Sequence, residues 1–172
     1  MPISVGILTI SDRCSRGEAE DASGPVIHEW VLSQLGAEVK LQGVVPDEQE
    51  QIMAKLIAWS DREGVDLIVT TGGTGFAPRD VTPEATRGVI ERETPGLAEA
   101  MRWEGLKKTP HAMLSRAVAG IRGYTLIVNL PGSPKAVREG LDVILPAIPH
   151  GVEILSGAHG ANQRHEYKKP NS

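Results

Sequence analysis

A chain of 172 residues and 18.4 kDa has the length of one domain and enough residues to bury a sizeable core. Its 3% aromatic residues predict an aliphatic core without base-stacking platforms, and a formal net charge of -4 leaves no electrostatic footprint for a nucleic-acid backbone or an anionic membrane. One cysteine, Cys14, excludes an internal disulfide and a multi-cysteine zinc site; with no long apolar run and no basic, then apolar leader pattern, the expectation is a cytoplasmic enzyme or binding protein.

Residues 3–10, ISVGILTI, are nearly continuous and β-rich, the pattern of a parallel strand covered on both faces. Ser11, Asp12 and Arg13 follow, then Arg16-Gly17-Glu18 and a polar run to Gly24. This predicts a loop at a strand's carboxyl end, where open α/β sheets place ligands. Over residues 25–35, Val26, Ile27, Trp30, Val31 and Leu35 recur at helical spacing, with Ser23 as cap and Gly36 as stop. AEVKLQGVV then alternates as a strand, Pro46-Asp47-Glu48 breaks it, and Ile52, Met53, Leu56 and Ile57 mark one face of a second helix. Taken alone, Asp47 at this junction reads as the cap of that helix.

Residues 66–86, DLIVTTGGTGFAPRDVTPEAT, carry the strongest local signal. A short buried strand over residues 67–70 is ended by Gly72, Gly73 and Gly75, and Thr82-Pro83-Glu84 reads as an N-cap, a proline at the first helical position and an acidic first turn. A glycine-rich turn between strand and helix can aim backbone N–H groups at an anion, phosphate above all. Two familiar cradles are excluded by spacing. No Lys-Ser or Lys-Thr pair directly follows the glycines, and Gly73-Thr74-Gly75 runs into Phe76-Ala77-Pro78 rather than completing G-x-G-x-x-G.

Residues 82–93 and 97–107 are predicted helical, with Met101-Arg102 and Lys107-Lys108 read as a solvated basic face. HAMLSR, residues 111–116, forms a short polar-ended element. YTLIVNL predicts another buried strand, and Pro131, Gly132, Ser133 and Pro134 turn it into a helix marked by Ala136, Val137, Gly140, Leu141 and Ile144. Gly132, Ser133 and Lys135 therefore make a second candidate anion cradle at a helix start. The five histidines show no metal-ligand spacing, and Ser133 lacks a nearby base, so neither a structural metal nor a serine nucleophile is expected. With no linker or repeat, the chain reads as one α/β domain over residues 1–156 and a flexible tail over 157–172.

TTGGTG, RDVTPEA, the earlier ISDR and PDE, and the later LSR and LPGSP resemble, in order and spacing, the molybdopterin adenylyltransferases of molybdenum cofactor synthesis, the MogA and MoaB family that includes the gephyrin G domain. TGGTG alone is a weak signal; six segments in register are specific, and the similarity runs over residues 3–155. The resemblance implies a three-layer α/β/α sandwich with a mainly parallel sheet, one antiparallel strand at its edge, and a homo-oligomer, trimer or hexamer. It implies an enzyme that binds molybdopterin and Mg-ATP, transfers AMP to the terminal phosphate of the pterin, releases pyrophosphate, and works with other enzymes of molybdenum cofactor synthesis. The alternative is a MoaB-type protein that binds molybdopterin, or acts as a scaffold, without adenylylating it.

By the same resemblance, Asp47 and Asp80 match the family's two functional aspartates, assigned to catalysis and to holding Mg²⁺ with the substrate phosphates. Thr71, Gly72, Gly73, Thr74 and Gly75 would line the nucleotide and pterin pocket, with Ser11, Asp12 and Arg13 beside them. Ser115, Arg116, Pro131, Gly132 and Ser133 are assigned to phosphate contacts, and Arg79 either counters phosphate charge or pairs with Asp80. Both aspartates together favour the enzyme, since pterin binding alone gives no reason to place extra negative charge near a phosphate.

Overall fold

Alternation along three apolar strands builds both faces of a central sheet. In the computed structural model, which describes residues 2–157, these strands are β1 (Ser4–Ile10), β3 (Leu67–Thr71) and β6 (Thr125–Leu130). Val5, Ile7, Leu67, Val69, Leu126 and Val128 face one side; Leu8, Ile10, Ile68 and Ile127 face the other. The first side is covered by α2 (Ser23–Trp30), α5 (Pro95–Leu106), α6 (Pro134–Ile144) and α7 (Ile148–Leu155). The second is covered by α3 (Gln49–Ile57) and α4 (Thr82–Val89), with Ile52, Leu56, Ala85 and Val89 buried against it. Burial of apolar surface on both faces drives this arrangement. Gly6 is needed where the Trp59 ring lies flat on β1: a Cβ there would sit 2.8 Å from Trp59 Cε3.

The six strands run in the order β2-β1-β3-β6-β5-β4, with β2 at Glu38–Val45, β4 at Arg92–Glu93 and β5 at Ala119–Arg122. The pairs β1–β2, β1–β3 and β3–β6 are parallel, and Ile10 is level with Val45, Thr9 with Thr71, and Thr71 with Leu130. That register makes four chain segments leave the sheet along one edge, at Ser11, Pro46, Gly72 and Pro131. Because the chain goes to one side after β1 and to the other from β3, this edge is also a topological switch point, the usual ligand position in open α/β sheets. A buried polar knot stiffens the floor beneath it. Asn129 Nδ2 donates to Thr70 Oγ1 and Thr86 Oγ1, and its Oδ1 accepts from the Val118 N–H, joining β6, β3, α4 and the start of β5.

Several local expectations are corrected. Residues 11–16 are not an open loop: Ser11 accepts from the Cys14 N–H and starts the one-turn helix α1 (Asp12–Ser15). Asp21, rather than Ser23, accepts from the first N–H groups of α2, and the Ser23 hydroxyl donates instead to Gly132 O at 2.7 Å. Gly36 does end that helical segment, in the left-handed conformation. The helix expected over residues 82–93 stops at Val89, because Glu91 and Thr94 donate their N–H groups to β5 and turn Arg92–Glu93 into an edge strand. Thr82 is not a side-chain cap; its hydroxyl donates to Gly72 O at 2.9 Å. The antiparallel strand is β5, one place in from the edge that β4 occupies. Residues 111–116 fall largely in a 3₁₀ turn, Pro110–Leu114, and α7 was not expected from the sequence. The expected tail, with His159 and His165, lies outside the described residues beyond Gly157.

Candidate active site

Residues 72–80 form the wall that divides the site. Gly72 (φ 97°) and Gly73 (φ 67°) take backbone conformations that side chains resist. A Cβ on Gly72 would collide with the Ile10 carbonyl oxygen, and one on Gly73 would meet Thr82 Oγ1 and lie 3.0 Å from Asp47 Oδ1. The glycines thus let the turn press against β1 and bring Asp47 to its backbone. Gly72 N–H continues the sheet ladder to Leu130 O, whereas the N–H groups of Gly73, Thr74 and Gly75 have no protein acceptor among the described residues. A row of free donors of this kind accepts anionic oxygens.

On the outer side of this wall stand the acidic groups. Asp12 and Asp47 are locked reciprocally: Asp12 N–H donates to Asp47 Oδ2 at 2.9 Å and Asp47 N–H to Asp12 Oδ1 at 3.0 Å. Asp47 therefore does not cap the helix that follows it, whose cap position is Glu48 without a side-chain bond. Burial pushes the Asp47 carboxyl above its ordinary range, opposed by the Asp12 N–H and reinforced by the charges of Asp12 and Asp80. Arg79 pairs not with Asp80 but with Asp12 (2.9 Å) and Glu48 (2.8 Å), and its bond holds the Asp12 carboxyl below the usual carboxylate range. Arg13 is exposed on α1, away from the cavity below.

Asp80 faces back to the wall. Its Oδ2 accepts from the Ala77 N–H at 3.0 Å and sits 2.9 Å from where a Gly75 Cβ would be. Arg116 holds both ends of this loop in place, since it donates to Gly75 O at 2.8 Å and to Asp80 O at 2.7 Å, and is ion-paired with Glu84. The hydrogen bond from Arg116 keeps the Glu84 carboxyl low. Its guanidinium is thus held by these protein groups, and Arg116 is not among the residues that line the cavity below.

On the inner side lies a cavity of about 920 Å³, lined by Gly73, Thr74, Gly75, Asp80, Ser115, Pro131 and Gly132 of the expected site residues. Its far wall comes from α5, the 3₁₀ turn and α6, including Met101, Arg102, His111 and Glu139. Ser133 caps α6 by accepting from the Ala136 N–H, and Thr71 donates to Pro131 O at 2.7 Å, so these two shape the cradle rather than line it. Ser11 likewise serves α1. The far wall was missed by sequence reasoning: Arg102 had the appearance of a solvated helix position, and only the packing of α5 on α6 turns it inward.

A divalent cation would find two carboxylates here. Among the described residues no three His, Cys, Asp or Glu side chains converge on one metal position, so the protein does not form a complete cage. Asp47 and Asp80 flanking the same glycine turn, with Asp47 made costly to ionise by burial and like charge, suit a cation that shares its remaining ligands with phosphates and water. Among the described residues no helix is long and apolar enough to cross a membrane.

Comparison with known proteins places this geometry. A family model described as Probable molybdopterin binding domain matches residues 6–150. Molybdopterin adenylyltransferase of Helicobacter pylori strain J99 is 47% identical over 156 residues, covering 90% of this chain and 89% of the relative. The solved structure of the molybdopterin biosynthesis enzyme MoaB from Thermus thermophilus superposes with a TM-score of 0.85 at 56% identity, over 90% of this chain and 97% of that one. Two longer curated relatives, cinnamon of Drosophila melanogaster and gephyrin of Dictyostelium discoideum, are 46% and 49% identical, and the chain spans only 26% and 22% of their lengths. The chain belongs to the molybdopterin-binding domain family, and its fold is that of MoaB and MogA.

Proposed function

We propose that this protein adenylylates molybdopterin: a terminal phosphate oxygen of the pterin attacks the α-phosphorus of ATP, the bond to the β-phosphate breaks, and pyrophosphate leaves. The observation that carries the reading is the meeting of Asp47 and Asp80 at a glycine turn whose N–H groups are free, in a chain 47% identical to a molybdopterin adenylyltransferase.

Bringing two phosphates together is the first barrier. Two unit charges about 4 Å apart repel by roughly 4 kcal/mol at an effective dielectric of 20, and each reactant carries more than one charge. Positioning and electrostatic stabilisation are what such a transfer asks of a protein, and no covalent nucleophile is required. The N–H groups of Gly73, Thr74 and Gly75 receive phosphate oxygens, and the Arg116 clamp keeps Asp80 oriented toward them. Asp47 and Asp80 would hold Mg²⁺, whose charge, when bound, neutralises part of the triphosphate. The cavity between the glycine turn and α5 and α6 gives the reactants a place to meet. We place the reaction in the cytoplasm, in one domain over residues 1–156, in a trimer or hexamer that passes its product to later enzymes of molybdenum cofactor synthesis.

The deciding experiment measures pyrophosphate release from Mg-ATP with and without molybdopterin, the pterin product being identified by mass. Pterin-dependent release with an adenylylated product supports the enzyme. Pterin binding without release makes this a binding or scaffold protein, and the two aspartates then need another explanation. In parallel, calorimetry should show Mg²⁺ tightening ATP binding by about tenfold, roughly 1.4 kcal/mol; no Mg²⁺ effect sinks the carboxylate assignment.

Asp47 also makes a separate prediction about stability. Its carboxyl is raised in the folded state, so its protonated form favours folding below the unfolded value, and this contribution is lost as pH rises through the raised value. At neutral pH the charge is a burden. Asp47→Asn keeps an oxygen for the Asp12 N–H and should melt higher than wild type near pH 7, by about 2–4 °C for each kcal/mol relieved, with the gain shrinking toward pH 4. Thermal melts across that range check it; a lower melting temperature at pH 7 contradicts it.

A further inference from the structure

Two anionic substrates cannot share a cavity lined by Asp80, Glu104, Glu139 and Asp142 unless a cation faces them. Of the arginines that the sequence pointed to, Arg13 is exposed on α1 and does not line the cavity, and Arg79 and Arg116 are engaged elsewhere. Arg79 bridges Asp12 and Glu48 on the outer side of the glycine turn, and Arg116 is taken by Gly75 O, Asp80 O and Glu84. Lys108 lines the cavity but pairs with Glu139 at 3.0 Å.

Arg102 differs from all of these. It reaches the cavity from α5, partly buried, and its Nη1 donates to two neutral acceptors, Ser115 O at 3.3 Å and Ala117 O at 3.0 Å. No carboxylate among the described residues pairs with it, and its Nε and Nη2 have no protein acceptor there. The two carbonyls orient the guanidinium without neutralising it. What remains is a planar edge with two parallel donors, the shape that binds two oxygens of one phosphate. The same segment carries Ser115, which lines the cavity as well.

We propose that Arg102 is the cation that receives a substrate phosphate inside this cavity, its Nε and Nη2 edge facing the phosphate while Nη1 stays on Ser115 O and Ala117 O. The assignment rests on the functional reading above. Both substrates of that reaction carry the chemistry it needs, ATP in its triphosphate and molybdopterin in its terminal phosphate.

Arg102→Gln keeps an amide donor for the carbonyls and removes the charge; Arg102→Lys keeps the charge and removes the fork. Calorimetric titration of wild type and both variants with Mg-ATP, molybdopterin and adenosine separates the sources. Arg102→Gln should weaken one phosphate ligand by about 10- to 100-fold, while the neutral adenosine binds as before. The loss should shrink as salt rises, and Arg102→Lys should recover part of it. The ligand that is weakened identifies which phosphate Arg102 meets. Unchanged affinity for both phosphate ligands in Arg102→Gln, or an equal loss for adenosine, overturns the assignment while the adenylylation reading stands. A wild-type protein that binds neither Mg-ATP nor molybdopterin overturns that reading and this assignment with it.

Discussion

Asp80→Asn is expected to lower adenylyl transfer by at least about 100-fold, the size of effect seen when one group that stabilises developing charge is removed. The fold should not follow. Asp80 Oδ2 accepts one bond, from the Ala77 N–H, which an asparagine oxygen can keep, and the backbone at this position is held by Arg116 through the Asp80 carbonyl. Only the negative charge beside the free N–H groups disappears. Molybdopterin affinity should therefore stay within about threefold of wild type, since a phosphate ligand loses no donor, and the melting temperature should move by no more than about 1 °C. Single-turnover kinetics, pterin titration and a thermal melt on the same preparation check the three parts together. Activity and stability falling in parallel would show that Asp80 is a structural residue of the loop.

Gly72→Ala should be the most destabilising single-methyl change in the site. Its φ of 97° is strained for any side chain, and the new Cβ would meet the Ile10 carbonyl, a backbone atom of a central strand that cannot swing aside. Backbone strain and overpacking each cost about 1–3 kcal/mol, so a loss of about 3–5 kcal/mol is expected. For a chain of this size that is a fall in melting temperature of about 10 °C or more. Gly132→Ala provides the control from the opposite cradle. There a Cβ finds only Gly72 Cα at 3.7 Å, an ordinary contact, and the change should cost less than about 0.5 kcal/mol. Urea unfolding of the two variants decides the matter; similar midpoints would mean that the turn can move off β1.

The central strands were legible because burial on both faces leaves an uninterrupted apolar pattern, as in ISVGILTI and LIVT, and because glycine clusters mark where those strands end. The helices covering the sheet, α7 apart, were legible in position but less so at their ends. Nothing in residues 82–93 announces that Arg92–Glu93 will pair with β5, since a two-residue edge strand is made by the N–H and C=O groups of its neighbour and leaves no periodicity of its own. Capping was misread for a related reason. Asp47, Ser23 and Thr82 have the chemistry of caps, but each found a partner far along the chain: the Asp12 N–H, Gly132 O, and Gly72 O ten residues before it.

The same division runs through the site. The residue types at the strand ends, their order, and the resemblance of six motifs to one family are properties of the linear chain, because they depend on local composition and spacing. Which charges neutralise one another depends on distances across 31 to 67 positions. Arg79 turned to Asp12 and Glu48 instead of Asp80, and Arg116 became a clamp on Gly75, Asp80 and Glu84. Arg102, unremarkable on a helical wheel, became a cation in the cavity wall without an acidic partner among the described residues, because α5 packs against α6. Electrostatic roles follow three-dimensional neighbours, and only the packing of the helices on the sheet supplies those.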